Sequence, residues 1–113
     1  MRVRRLAREA IFKLFGDVDV LLTPARLGTA PKIDEPLDHR PDRARPKDAG
    51  FTALIPAGNL AGMPALALPC GFADNLPVAL QLAGVPFSEN TLLAVGKEFQ
   101  SRTDWHKRKP PTG

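Results

Sequence analysis

Cysteine is almost missing from this chain: 113 residues hold one, Cys70. That excludes a disulfide framework and a cysteine-rich zinc module, and it fits a reducing compartment, so a cytoplasmic location is expected. Tyrosine is absent and tryptophan occurs once. No apolar run approaches the roughly 18 residues a spanning helix needs, so no membrane partner is expected. The two histidines, His39 and His106, lie far apart without ligand spacing, and neither a metal site nor a cofactor is expected. Serine is equally scarce. Ser88 and Ser101 fall at the ends of a helical pattern, with no glycine-rich elbow to expose a hydroxyl as a nucleophile.

What the chain does have is punctuation. Twelve prolines and nine glycines interrupt it, which points to many turns and short elements. Apolar residues make up 43% and charged residues 25%, ordinary globular usage for one domain or part of one. The net charge of +4 is uneven: residues 1–16 carry +4, 17–50 carry −1, 51–100 carry −2 and 101–113 carry +3. A nucleic-acid module gathers its cations on one face. Here the apolar middle is slightly acidic, and no nucleic-acid partner is expected.

Val3, Leu6, Ala7, Ala10, Ile11, Leu14 and Phe15 recur at spacings of three and four between arginines, the pattern of an amphipathic helix docked by one face and stopped at Gly16. Val18, Val20, Leu21 and Leu22 then read as a short buried strand ending at Thr23-Pro24. From Ala25 to Gly50, prolines 31, 36, 41 and 46 among many charges predict a long surface loop.

Ala65 to Pro69 and Val78 to Gly84 read as strands, the second alternating Val78, Leu80 and Leu82 against Ala79, Gln81 and Ala83. The connection is too short for a parallel crossover, so an antiparallel hairpin with a wide loop around Asp74-Asn75 is expected. Ser88 is a predicted N-cap for a helix carrying Leu92, Val95 and Phe99 at helical spacing, with a Glu98–Arg102 pair. That helix should pack on the hairpin.

Two chemical readings fail on their surroundings. Cys70 and His106 lack a supporting motif, and a lone cysteine after an apolar strand is a small core residue. Gly58-Asn59-Leu60-Ala61-Gly62 lacks the Lys-Ser/Thr of a phosphate loop. Its small residues instead allow close backbone approach at a helix-to-strand junction.

Taken in order, five phrases resemble the carboxyl-terminal portion of amidase signature enzymes. They are Val18-Asp19-Val20-Leu21-Leu22-Thr23-Pro24, Asn59-Leu60-Ala61-Gly62-Met63-Pro64-Ala65, Leu68-Pro69-Cys70-Gly71-Phe72, Leu76-Pro77-Val78-Ala79-Leu80-Gln81-Leu82 and Thr103-Asp104-Trp105-His106-Lys107-Arg108. Within that family the likeness is to the A subunits of tRNA-dependent amidotransferases and to general amidases. The resemblance implies an α/β fold, with a mixed sheet flanked by helices. It also implies cleavage of carboxylic amides by a serine nucleophile, a second serine and a lysine, with backbone N–H groups at the oxyanion. Those three residues belong to the family's amino-terminal half. No serine precedes Ser88 and no Gly-Gly pair occurs, so no catalytic residue can be assigned.

By the same resemblance, residues 1–113 are a partial amidase domain. Residues 1–24 are a helix and strand, 25–50 a proline-rich loop, and 51–113 a substrate-side segment with hairpin and final helix. Thr52 and Asn59 are the implied substrate-binding positions. The amidotransferase members tend to carry an aspartate near Thr52, so threonine leans toward a general amidase, with Asp48 close enough to leave the choice open. The implied partner is a small amide substrate, bound only together with the missing half. Alternatively the chain is a non-catalytic module that associates with a complete amidase, with a tRNA amidotransferase, or with itself.

Overall fold

A computed structural model describes residues 2–25, 29–34 and 54–110. The chain runs helix α1 (Arg2–Phe12), a 3-10 turn (Lys13–Gly16), strand β1 (Leu21–Pro24), helix α2 (Leu54–Ala61), strands β2 (Ala65–Ala73) and β3 (Leu76–Ala83), helix α3 (Glu89–Arg102) and a last 3-10 turn (Trp105–Lys107). The fold is α/β. The three strands of the described residues form one sheet in the order β1-β3-β2, with both pairings antiparallel.

The expected hairpin forms, but its loop is tight rather than wide. Asp74 and Asn75 both have positive φ, 51° and 63°, the signature of a two-residue turn whose twist matches the flanking strands. The strands therefore run on until Ala73 pairs with Leu76. Cys70 lies within β2, where the register slips between Pro69 and Gly71. Gly71, at φ 150°, takes a backbone angle that side chains rarely tolerate.

Alternation divides the sheet into two chemically different faces. Leu66, Leu68, Leu80 and Leu82 lie on one side and meet α3, where Leu68, Leu82 and Leu92 form the core with Val20 and Phe99 against it. Leu92 keeps 2% of its surface. The buried residue one turn on is Gly96, and Val95 is exposed, so the contact stripe is Leu92, Gly96 and Phe99 rather than the expected Leu92, Val95 and Phe99. Ser88 does precede α3, yet its hydroxyl donates to the Val85 carbonyl at 2.6 Å instead of capping the helix. The Glu98–Arg102 pair is present at 2.8 Å, with both side chains mostly exposed. Such a pair contributes about 0.5 kcal/mol or less.

Strand β1 begins later than expected, leaving Val18 outside it, and it is an edge strand rather than a buried one, with Leu22 66% exposed. Its position at the edge admits Pro24, which has no ladder N–H to give. Helix α1 has no buried residue. It docks by a half-buried face on α2, where Arg4 Nε donates to the Leu60 carbonyl at 2.8 Å, a cation at the negative end of a helix. Ala25 and residues 29–34 contain neither helix nor strand, and the rest of the expected proline-rich loop lies outside the described residues. No described helix is long and apolar enough to cross a membrane.

Candidate functional site

The other face of the sheet is built from small residues. Ala65 and Ala67 on β2 and Ala83 on β3 leave the space that larger side chains would fill. The end of α2 overhangs it, and together they enclose a concavity of about 270 Å³.

The geometry of the overhang follows from the glycines. Gly62 turns into the left-handed region at φ 71°. The Met63 N–H then donates to Gly58 O at 2.9 Å and the Gly62 N–H to Asn59 O at 3.4 Å, the paired bonds of a Schellman end. This closure brings Gly58, Asn59 and Met63 over the alanine floor. Pro64 is tied down by the Gly84 N–H, which donates to its carbonyl at 3.2 Å.

Among the described residues two polar side chains reach the concavity, Asn59 from the exposed rim and Gln81 from the sheet. Gln81 keeps 8% of its surface and is the buried polar residue of the described structure. Among the described residues no side-chain hydrogen bond uses its carboxamide. Thr23 stands directly across from it on β1, and the Thr23 Oγ1 is buried without a partner. Leaving a buried polar group unpaired costs about 1–3 kcal/mol. The described lining contains no charged side chain.

Of the two positions implied by resemblance, Asn59 lies on this concavity, whereas Thr52 falls outside the described residues. Neither motif nor resemblance singles out Gln81 or Thr23. The available signal was a carboxamide in the middle of a strand whose neighbours are all leucine, alanine and valine.

Elsewhere among the described residues the serine, cysteine and histidine side chains are occupied or isolated. Ser88 Oγ is bonded to Val85 O, and Ser101 Oγ donates to Glu98 O at 2.7 Å. Cys70 is half-buried in β2 and His106 is exposed in the last turn. No cluster of histidine, cysteine or acidic residues suited to a metal occurs among the described residues. A shallower hollow along α1 is lined by Arg4, Arg5, Arg8, Glu9 and Phe12, but its cations have local partners: Arg4 on Leu60 O, Arg5 3.8 Å from Glu9 and Arg8 5.1 Å over the Phe12 ring.

A short α/β unit with a small-residue cleft at a helix-to-strand junction is what the fold defines. Residues 1–93 match the Amidase family model, and the chain belongs to the amidase signature family. It is 43% identical over 109 residues to the glutamyl-tRNA(Gln) amidotransferase A subunit of Chloroflexus aggregans, covering 96% of this chain and 21% of that protein. It is 42% identical over 114 residues to the same protein of a Synechococcus strain, covering 99% and 21%. Among solved structures it resembles a protein described as an amidase, with TM-score 0.71, 28% identity and coverage of 88% of this chain and 23% of that one. It also resembles the glutamyl-tRNA(Gln) amidotransferase A subunit of Thermotoga maritima, with TM-score 0.61, 32% identity and coverage of 80% and 19%. The chain thus spans about a fifth of the length of the curated relatives it matches.

Proposed function

We propose that these residues form the carboxyl-terminal, substrate-side wall of an amidase that cleaves carboxylic amide C–N bonds or transfers the amide nitrogen. The nucleophile and its serine and lysine partners would come from amidase sequence outside these residues. The observation that carries this reading is the family match over residues 1–93 of a chain whose two serines both spend their hydroxyls on main-chain carbonyls. Residues 1–24, 25–50 and 51–113 would act as one partial domain, with Thr52 and Asn59 facing the acyl part of the substrate.

The isolated chain should hydrolyse no simple amide and form no adduct with a fluorophosphonate probe, and turnover should appear when the complementary amidase region is supplied. An acyl adduct on the chain alone would overturn the reading.

A second reading, an associating module without catalysis, is favoured by the large apolar side chains left exposed, among them Val3, Leu6, Leu14, Leu22 and Leu93. Where such side chains join into a contiguous patch they mark a contact site. In that case the chain should bind a complete amidase or itself without altering turnover.

A further inference from the structure

We propose that two copies of this chain dock reciprocally, the exposed apolar edge of α1 from each copy seated in a hollow of the other where α3 begins beside β2. This rests on the second reading above, an associating module, and names its partner as another copy; it is independent of the catalytic reading.

The hollow has a volume of about 150 Å³ and is walled by Pro64, Leu66, Leu92 and Leu93, with Glu89 on its rim. It is a part of the leucine face that α3 does not close. Gly96 brings the middle of the helix down onto Leu66 and Leu68, whereas Leu93, nearly one turn earlier, remains 58% exposed. A space of this size admits one aliphatic side chain. The carboxylate at its edge favours an aliphatic side chain with a cation beside it, since opposite charges across a contact fix its register.

Helix α1 carries that combination. Val3 is 69% and Leu6 54% exposed, while Ala7 and Ile11 on the neighbouring face are half-buried. Val3, Leu6 and Ala10 follow the spacing of a helix laid into a groove, and Arg2 stands one turn before Leu6 on the same side. Residues 2–12 hold four arginines and one glutamate, a charge opposite to that of Glu89. This helix does not fill the hollow of its own chain, because Arg4 ties it to the Leu60 carbonyl on α2 and leaves Val3 and Leu6 in solvent. A second copy can bring Leu6 into the hollow and Arg2 to Glu89. Twofold symmetry then forms the contact twice, since each copy presents both halves of it.

The test is sedimentation equilibrium of the full 113-residue chain from about 10 µM to about 1 mM. A monomer–dimer equilibrium is expected, and Leu6→Asp or Leu93→Asp should weaken it at least about tenfold. Arg2→Glu and Glu89→Arg should each weaken it as well, and the double variant should regain dimerisation because the pair is re-formed with its signs exchanged. All four positions are exposed, and retained amide NMR shifts at Asp74 and Asn75 certify the fold of each variant. A chain that stays monomeric throughout, dimerisation indifferent to Leu6→Asp and Leu93→Asp, or a double charge variant no better than the single ones overturns the docking. A monomeric chain that nevertheless binds a complete amidase sinks the self-docking and leaves the associating-module reading standing. Dimerisation with the charge-swap rescue, but no turnover on complementation, supports the docking and counts against the catalytic reading alone.

Discussion

A β-carbon built on Gly96 would stand 2.8 Å from the Leu66 Cδ2 and 3.4 Å from the Leu68 Cδ1. Helix α3 therefore lies on β2 with no side chain of its own between them at that point. The close approach lets Leu92, one turn earlier, reach the leucine face and become the best-buried large side chain of the core. Glycine in a helix interior costs about 1 kcal/mol relative to alanine, and here the cost is offset by the shortened distance between helix and sheet.

Replacing that glycine should reverse the balance. Gly96→Val places a branched side chain where the Leu66 and Leu68 methyl groups already sit, and overpacking of this kind costs about 1–3 kcal/mol. The denaturant midpoint should fall with little change in slope. An unchanged midpoint would mean that α3 is not seated on β2 as described.

Thr23 offers a change in the opposite direction. Its hydroxyl is buried and unpartnered beside Gln81 on the neighbouring strand, so Thr23→Val keeps the branched shape that suits a strand and removes the unsatisfied atom. Stability should rise by about 1 kcal/mol. A loss of similar size, measured by the same denaturation curve, would show that the hydroxyl is hydrogen-bonded in solution.

Phe87 sits in the left-handed region at φ 69° and is 95% exposed, in the connection that precedes α3. That conformation costs an ordinary side chain roughly 1–2 kcal/mol, and the ring recovers nothing by burial. Phe87→Gly should stabilise the isolated chain by about 1 kcal/mol, read as a later unfolding midpoint. Were the midpoint to drop, the ring would have to be packed against something in solution, and self-association would be the first thing to measure by sedimentation.

Much of this was legible in the order of the residues. The spacing of Leu80 and Leu82 against Ala79, Gln81 and Ala83 dictates a two-faced strand, because side chains alternate across a sheet with a period of two. The short connection between the β2 and β3 segments left an antiparallel hairpin as the available geometry. The family phrases, likewise, are a property of the sequence alone.

Other features were settled only when distant segments met. That Gly96 rather than Val95 faces the leucines depends on how α3 rotates over the sheet, a compromise among all its contacts that no local spacing encodes. That β1 is an edge, leaving Leu22 in solvent, depends on β3 pairing with β2 on its other side. The concavity around Gln81 exists because an alanine face, the glycine-turned end of α2 and a strand from the first third of the chain converge on one carboxamide. Its burial, like that of the unpartnered Thr23 Oγ1 beside it, is a consequence of long-range packing.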